Sequence, residues 1–309
     1  MMMGHPYRLK RQTIGILIAY FLIYVVWGST YYVIGLALQD LPPFLLGTLR
    51  FSTAGLILLG LCIVRGELVF RWELVRRSAV SGIVLLFVDM AVIMLAEQYV
   101  SSSLVAIVAS STALWIFVLD RPMWQNNFRS PLKIAGAFIG FGGVLALYIE
   151  QVLSEKTAAQ NEYGLLILTA GCVSWALGTL YAKYRSSKTE AVNAFAGSAW
   201  QMLAAGGMFW MCSLMLGEPE HISLDAIPGK AWWSLAYLVV FGSILAYSAY
   251  VWLLKVRPAA EVGTHAYVNP FVAVFLGSVF GGEHITWLQV AGLVVILCGV
   301  MLIGRQSKT

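Results

Sequence analysis

Long apolar runs that contain almost no charged residue recur along this chain of 309 residues, and they decide what it can fold into. The first of them extends from Ile14 to Leu38 without one charged side chain. A helix needs about 20 mainly apolar residues to cross a bilayer, and backbone groups in lipid must be paired within the segment itself, which selects helices. Only 11% of the residues are charged, whereas a soluble domain carries about 25%. The sequence therefore predicts an all-α membrane protein.

Ten such runs predict ten transmembrane helices, and the links between them are too short to hold a soluble domain. The runs are 14–36, 44–64, 78–96, 102–119, 131–149, 164–183, 195–216, 232–254, 264–280 and 287–304. The first run is longer than the apolar core of a signal peptide, which spans about 7–15 residues. We therefore interpret it as an uncleaved membrane helix.

Basic residues are distributed unevenly between the two sides that ten alternating helices create. Seventeen of the 20 Lys and Arg residues fall in the two termini and in the links on the same side, whereas only Lys156 and Lys230 fall in the opposite links. Cytoplasmic loops carry an excess of Lys and Arg, so both termini are predicted to be cytoplasmic. This asymmetry also accounts for the net charge of +5, and no basic patch with interleaved aromatic residues indicates a nucleic-acid partner.

The two halves of the chain resemble each other. The segment KIAGAFIGFGGVLAL (133–147) is similar to QVAGLVVILCGVMLI (289–303), with glycines at matching positions. Each half would hold five helices, and because five is odd the second copy would enter the membrane upside down. We predict two inverted five-helix repeats, 1–150 and 151–309. Many secondary transporters have this arrangement, with a substrate site between the repeats.

Several segments resemble the EamA-type family of the drug/metabolite transporter superfamily. They are WGSTYYVIGLAL (27–38), PPFLLGTLRFSTAGLILL (42–59), AEQYVSSSLVAIV (96–108) and VNPFVAVFLGSVFGGEHITWLQVAGLVVILCGVMLI (268–303). The resemblance covers nearly the whole chain and implies a ten-helix inner-membrane permease that exports small metabolites through a central cavity. Two positions depart from the family pattern. Ala113 stands where members often have proline, and Asp120 or Asn127 stands where they often have glutamate.

Polar and aromatic residues interrupt the apolar runs at positions where lipid would accept Leu, Ile or Val. In the first helix, Gly28 and Tyr31 fall on one face, with Trp27 and Thr30 beside them. Such a face either lines a wet cavity or packs against another helix through small residues and hydroxyl groups.

Two titratable residues lie within predicted helices. Asp89 stands near the middle of the third helix, where a charge costs roughly 2.5–3.5 kcal/mol on insertion scales, so its side chain should face the protein interior. It is either a proton carrier or a carboxyl group tied to a neighbouring hydroxyl or amide. His265 titrates near neutral pH in its unperturbed state and is either a second proton-coupling candidate or a hydrogen-bonded wall residue. No further His or Cys stands at ligand spacing, so neither a metal nor another cofactor is expected.

Pro270 removes one hydrogen bond from the ninth helix, and Asn269 can meet the backbone groups that this exposes. We predict hinges at Pro270 and Gly28, the alternative being an ordinary membrane-helix kink. The predicted cavity residues are aromatic or polar and come from both halves: Trp27, Thr30, Tyr31, Asp89, Trp115, Trp175, Thr179, Tyr247, Tyr250, His265, Tyr267 and Asn269.

Four charged residues lie nearer the ends of the predicted helices. Arg50 is expected either to extend outward or to pair with an acid, and Glu97 is the expected partner. The alternative for Glu97 is a solvated carboxylate, and Glu261 and Glu283 are expected to be solvated or to cap helices.

Together these features predict a multi-pass protein of the inner membrane that is a secondary active transporter and not an enzyme. It would export small metabolites, such as amino acids, other amphipathic compounds or drugs, by alternating access, driven by protons or by exchange. A passive facilitator or channel is the main alternative, and a membrane-embedded enzyme is a further one. No phosphate-binding loop indicates ATP as the driver. The sequence leaves a monomer and a homodimer equally open.

Overall fold

The computed structural model describes residues 5–153, 158–181, 183–184, 194–257 and 262–304. Lys156 and Glu261 lie outside these ranges, and so does the side chain of Tyr267. Within the described ranges all regular secondary structure is helical, with no strand. The prediction of an all-α protein is confirmed.

Ten long helices lie in these ranges, and each occupies one of the ten predicted apolar runs. They are α1 (5–38), α2 (Pro43–Val64), α3 (Trp72–Ala96), α4 (Ser102–Leu119), α5 (Pro131–Leu153), α6 (Ala158–Tyr181), α7 (Ala194–Met215), α8 (Gly229–Val256), α9 (His265–Phe280) and α10 (Trp287–Gly304). Short helices also occur at Arg121–Met123, Trp124–Asn127, Glu218–His221 and Leu224–Ala226.

Local sequence explains where several of these helices begin and end. Pro43 and Pro131 occupy first helical positions, where the fixed φ of proline suits a helix and its missing N–H is not needed. The hydroxyl of Ser101 accepts a hydrogen bond from the backbone N–H of Leu104 and so caps α4. Gly66, just after α2, has a φ of 72°, a left-handed conformation that commonly ends a helix.

Six of the helices are long and apolar enough to cross a membrane: Thr13–Leu38 within α1, then α2, α3, α4, Gly164–Tyr181 within α6, and α8. A seventh results if Arg121–Asn127 and Pro131–Leu147, which are bent by 113° relative to each other, count as one span. Val268–Phe280 and Trp287–Ile303 are apolar but shorter. Judged by length and composition, the described residues thus contain six or seven crossings, so ten crossings, the inverted repeats and the cytoplasmic termini stay predictions.

Many large apolar side chains face outward, as contact with lipid requires. Leu17, Phe138 and Trp287 expose 63%, 77% and 89% of their surface. Exposure on this scale is unusual for a soluble monomer but matches the hydropathy of the chain.

Close helix packing explains the GAFIG sequence of α5. A Cβ added to Gly136 would lie 2.6 Å from the carbonyl oxygen of Gly299 in α10, and one added to Gly140 would lie 2.6 Å from Leu114. Only glycine permits helix backbones to approach so closely. This GxxxG sequence therefore allows α5 to pack closely against α10 and α4.

Three long helices each contain a π-helical segment, in which the turn is wider than in an α-helix: Leu22–Val26 in α1, Ile83–Val88 in α3 and Leu238–Tyr247 in α8. In each segment a backbone carbonyl accepts a hydrogen bond from a side chain of another helix. Ser174 Oγ donates to Val84 at 2.8 Å, and Trp27 Nε1 donates to Gly242 at 3.0 Å. With its amide oriented toward these acceptors, Asn269 Nδ2 donates to the carbonyls of Ile23 and Tyr24. The wide turns therefore connect α6 to α3, α1 to α8, and α9 to α1.

Two glutamates cap helices to which they are not adjacent in sequence. Glu218 accepts hydrogen bonds from the backbone N–H groups of Phe44 and Leu45 at the start of α2, and from the hydroxyl of Ser213. Glu283 accepts hydrogen bonds from the backbone N–H and hydroxyl groups of Ser102 and Ser103 at the start of α4. An anion is favourable at a helix N-terminus, and for Glu283 the capping alternative is confirmed.

Candidate functional site

A cavity of about 80 Å³ lies among seven of the long helices. Since a water molecule needs roughly 10–15 Å³ on this measure, the cavity has room for several waters or a small polar molecule. Its walls come from α1, α2, α3, α4, α6, α8 and α9. The cavity is therefore bounded by both halves of the chain.

Most of the predicted cavity residues lie in its wall. These are Trp27, Thr30, Tyr31, Asp89, Trp175, Thr179, Tyr247, Tyr250, His265 and Asn269. Trp115 does not line the cavity, because its ring packs edge-on against Phe141 of α5 at 5.0 Å. Tyr267 cannot be placed, because its side chain is outside the described part of the structure.

Trp27 is the centre of an aromatic cluster in the cavity wall. Its ring centre lies 5.6 Å from Trp175, 5.1 Å from Tyr250, 6.3 Å from Tyr247 and 5.3 Å from His265. Rings at such distances attract each other beyond simple burial of apolar area. Four helices thus share one aromatic surface, which suits the apolar part of a small ligand.

The first helix combines the two roles that its sequence left open. Trp27, Thr30 and Tyr31 line the cavity. Gly28 instead meets α9, since a Cβ there would lie 3.0 Å from the carbonyl oxygen of Asn269. One part of the helix therefore borders the cavity, and the adjacent glycine allows a close helix contact.

Hydroxyl groups of the wall are held by further polar side chains. Tyr247 donates to Gln201 Oε1 at 2.9 Å, and Gln201 Nε2 donates to Ser81 Oγ at 2.8 Å. The hydroxyls of Tyr250 and Thr179 are 3.0 Å apart. Bonds of this kind fix the side-chain positions before any ligand arrives.

Asp89 contributes a buried acid to the cavity wall. Its side chain is 7% exposed and borders the cavity, and it makes no hydrogen bond with any described residue. The alternative of a carboxyl group tied to a neighbouring hydroxyl or amide is therefore not what the structure has. The carboxyl group is left for interaction with whatever occupies the cavity.

His265 has one ring nitrogen engaged and the other unassigned. Nδ1 lies 3.1 Å from the carbonyl oxygen of Val262, and because a carbonyl only accepts, the proton sits on Nδ1 and leaves Nε2 as an acceptor. The ring also packs against Trp27 and Tyr250. His265 thus has the hydrogen bond expected of a wall residue and retains one free acceptor.

Asn269 and Pro270 both border the cavity in the first part of α9. Besides its bonds to α1, the Asn269 amide nitrogen reaches the carbonyl of His265, one turn earlier in its own helix, at 3.1 Å. The Asn269 amide therefore meets backbone carbonyls, but not that of Ala266, the carbonyl that Pro270 leaves without its helical N–H donor. Its amide nitrogen is occupied by the fold, which leaves less of this side chain for a ligand.

Arg50 is a charged cavity residue that the sequence did not identify as part of the site. It is 3% exposed, borders the cavity, and donates from Nε to Ser243 Oγ at 2.9 Å. The predicted pair with Glu97 is wrong, since no carboxylate of the described residues lies within 4.0 Å of the guanidinium. Outward extension is also wrong, because the whole side chain is enclosed. A signal was present in the sequence: Arg50 is the one basic residue in the interior of the predicted spans.

Glu97 is not solvated, although it directly follows α3. Both of its carboxylate oxygens are buried without a hydrogen-bond partner in the described structure. Burial raises the pKa of Glu97 well above its usual range, the neighbouring Glu283 raises the pKa further, and Arg50 lowers it in part. Glu97 does not line the cavity.

A metal centre finds no support in the geometry. Among the described residues, no group of three or more His, Cys, Asp or Glu side chains is placed to hold a metal ion. The cavity wall contains one acid, one guanidinium, several hydroxyls and an aromatic surface. Such a wall is suited to binding a small polar or amphipathic molecule.

Comparison with known proteins places this architecture among membrane transporters. The model of the EamA-like transporter family matches the chain twice, over residues 13–149 and 162–305. The "Uncharacterized inner membrane transporter YedA" of Escherichia coli strain K12 is 33% identical over 95% of this chain and 92% of its own length. A "Probable amino-acid metabolite efflux pump" of Salmonella typhimurium is 27% identical over 91% and 92%.

A solved crystal structure shares the fold. That protein is 20% identical in sequence, and the alignment covers 94% of this chain and 96% of the other with a TM-score of 0.65. At this level of identity the similarity supports a shared fold and nothing about function.

Proposed function

Because the chain belongs to the EamA-like transporter family, as its sequence motifs indicated, we propose that it is a secondary active transporter that exports small metabolites. It is a multi-pass protein of the inner membrane. The observation that carries the proposal is the cavity itself: it borders helices of both segments that match the family, and it contains buried charged groups. Charged groups at membrane depth generally mark a substrate or ion pathway.

Alternating access is the proposed mechanism. The two family matches, 13–149 and 162–305, support a chain built from two related units, 1–150 and 151–309. Five helices in each unit would give the second the inverse orientation, and rocking of one unit against the other would open the cavity to each side in turn. Gly28 and Pro270, at the contact between α1 and α9, are the proposed hinges.

Protons are the proposed coupling ion, and Asp89 is the proposed carrier. Its carboxyl group borders the cavity and has no fixed partner among the described residues, so gaining or losing a proton disrupts no hydrogen bond of the fold. His265, whose Nε2 is an unassigned acceptor in the same wall, is the second candidate. Each charge that moves across 100 mV contributes about 2.3 kcal/mol.

Two experiments test these proposals. Comparative metabolite profiling of medium from cells with and without the protein identifies what is exported, and no difference in any metabolite contradicts the transporter proposal. The exported compound is then assayed in proteoliposomes with and without a pH gradient. Transport driven by the gradient supports the coupled mechanism, whereas flux that only follows the substrate's own gradient identifies a passive facilitator.

A pair of variants tests the coupling residue. Asp89→Asn should abolish the dependence on the pH gradient while the protein stays folded and inserted. Asp225→Asn, at an exposed position away from the cavity, serves as the matched control and should behave like the wild type. Unchanged gradient dependence in Asp89→Asn excludes this residue as the carrier and directs attention to His265.

A further inference from the structure

We infer that Asp89 and the break in α4 at Ser110 and Ser111 form a binding site for a sodium ion. The site lies in the wall of the cavity, and its further oxygen ligands are the carbonyl of Ser110 and the hydroxyl of Thr112. The inference goes beyond the proposed proton coupling, because it gives the same carboxylate a second cation. Binding of this ion is measurable without any transport.

The first observation is that α4 is interrupted by a turn that leaves one buried carbonyl without a donor. The N–H of Ser111 donates to Val108 at 2.9 Å and the N–H of Leu114 donates to Ser111 at 2.8 Å, so each bond spans three residues instead of four. In a regular α-helix the N–H of Leu114 would donate to the carbonyl of Ser110. Within the described ranges that carbonyl therefore accepts no hydrogen bond, although Ser110 is only 1% exposed.

A buried carbonyl oxygen without a donor is unfavourable unless water or a cation meets it. Ser110 borders the cavity, so such a partner reaches it from there. The break also ends the first part of α4, Ser102–Ala109, and the C-terminal end of a helix carries partial negative charge, which favours a cation. Interrupted membrane helices of transporters hold sodium through the carbonyls of the unwound turn.

The second observation is that Asp89 supplies a negative charge beside this break. Its side chain is 7% exposed, borders the cavity and makes no hydrogen bond with any described residue. A Cβ added to Gly171 of α6 would lie 3.4 Å from Asp89 Oδ1. The next residue, Cys172, interacts with Asp89 and also with the hydroxyl of Thr112. The carboxylate and the break in α4 therefore flank one short stretch of α6.

Thr112 adds a hydroxyl oxygen to the site. It is the first helical residue after the break, and it borders the cavity. The thiol of Cys172 donates to the carbonyl of Val108 at 3.7 Å, so the sulfur acts as an acceptor toward Thr112. A hydroxyl that donates its proton keeps two lone pairs, and these are directed to a cation.

The charge of the site selects a monovalent cation. One carboxylate balances one positive charge, and the remaining ligands are neutral oxygens, as in other sodium sites of transporters. Among the described residues Asp89 is the only acid in the cavity wall, so a divalent ion would leave a buried charge uncompensated. The described part of the chain also places no three His, Cys, Asp or Glu side chains around one point, so a transition metal does not fit.

A proton competes with sodium for the carboxylate of Asp89. The other titratable or charged groups that interact with Asp89 or border the same cavity are Tyr31 of α1, Arg50 of α2, Cys172 of α6, Tyr250 of α8 and His265 of α9. Arg50 stays charged in proteins, and no ion pair joins it to Asp89 within 4.0 Å. Sodium binding should therefore weaken as Asp89 gains its proton.

The test measures sodium binding directly. Radioactive sodium is added to the purified full chain in lipid nanodiscs, and scintillation proximity follows binding from pH 4 to pH 8. The wild type should bind sodium saturably, and unlabelled sodium should displace the label at a lower concentration than potassium does. Binding should be at least about twofold weaker at pH 4 than at pH 8, because the reference pKa of aspartate is about 3.9.

Two sets of variants test the ligands. Asp89→Asn should abolish saturable binding, whereas Asp225→Asn, at an exposed position outside the cavity wall, should bind like the wild type. Thr112→Val keeps the shape of the side chain but removes its oxygen, and it should weaken binding about 3- to 10-fold. Thr112→Ser keeps the hydroxyl and should recover most of that loss.

Four results overturn the inference: no saturable binding, binding that persists in Asp89→Asn, equal displacement by potassium, and equal affinity of Thr112→Val and Thr112→Ser. A pH dependence that disappears in His265→Gln assigns the competition to the histidine and overturns the shared carboxylate. If Asp89→Asn does not fold, the Thr112 pair and the displacement by potassium still decide. If sodium does not bind but a pH gradient drives export, this inference fails while the transporter proposal stands.

Discussion

Glu283 Oε1 accepts a hydrogen bond from the backbone N–H of Ser102 at 3.1 Å, and this contact ties the segment after α9 to the start of α4. Ser103 donates its own N–H to the other carboxylate oxygen. A helix N-terminus leaves its first N–H groups unpaired, so a carboxylate from a distant part of the sequence completes α4.

Glu283→Gln should therefore lower the stability of the folded protein by about 1–2 kcal/mol, because the amide keeps one acceptor but loses the charge. Thermal unfolding of the purified protein in detergent measures the effect. Glu220→Gln is the matched control, since Glu220 is exposed and caps no helix of the described structure. Equal midpoints for the two variants contradict a capping contribution.

Glu97→Gln should stabilise the protein, and increasingly so as the pH rises. Burial and the nearby Glu283 raise the pKa of Glu97 in the folded state, so the folded protein holds this proton more tightly than the unfolded chain does. Stability is then greatest below the unfolded pKa of about 4.3 and falls as the pH rises toward the folded pKa. Glutamine cannot ionise and avoids this loss.

Unfolding midpoints of the wild type and Glu97→Gln, measured from pH 5 to pH 8, test this sign. The difference between them should grow with pH. A constant difference, or one that shrinks toward pH 8, is incompatible with a buried carboxyl group that prefers its proton.

Gly136→Ala should destabilise the contact between α5 and α10 by about 1–3 kcal/mol, the usual range for overpacking. The added Cβ would lie 2.6 Å from a backbone oxygen, which cannot rotate away. Gly142→Ala on the same helix is the control: it has nothing within 4 Å, and alanine favours a helix over glycine. Similar unfolding midpoints for the two variants would refute the packing argument.

Pro270→Ala should slow transport more than it weakens binding. Alanine restores the N–H that proline lacks and so favours a regular helix across the proposed hinge. The measurement is the maximal rate and the KM of transport in proteoliposomes, with Phe271→Leu, an exposed neighbour, as the control. A rise in KM at an unchanged maximal rate makes Pro270 a pocket residue instead of a hinge.

The sequence predicted the positions of the helices well, because a membrane helix requires a continuous run of apolar residues, and such a run can be read directly along the chain. Its predictions about partners were weaker. Glu97 and Arg50 were expected to pair because both lie toward the same end of neighbouring predicted helices. In the structure, Arg50 instead donates a hydrogen bond to Ser243 of α8. Which way a side chain points around its helix depends on how all the helices are rotated, and apolar surroundings on every side give little periodic signal for that rotation.

Trp115 illustrates the same limit within one helix. α4 is interrupted by a turn at Ser110 and Ser111, and beyond it the residues facing the cavity include Ala113 and Ile116. Trp115 lies off that stripe and packs on Phe141. Its large ring and polar N–H made Trp115 a reasonable candidate for the cavity. The turn at Ser110 and Ser111, however, changes which residues after it face the cavity, and residue type alone does not reveal such a turn.

The wide turns within α1, α3 and α8 have an effect that extends beyond the helices containing them. In these π-helical turns the regular pattern of backbone hydrogen bonds is interrupted, and some carbonyl oxygens point away from the helix axis. Each of these oxygens accepts a hydrogen bond from a side chain of a different helix. Restoring ideal helical geometry there would withdraw those acceptors, so a mutation that improves one helix in isolation should loosen its neighbour.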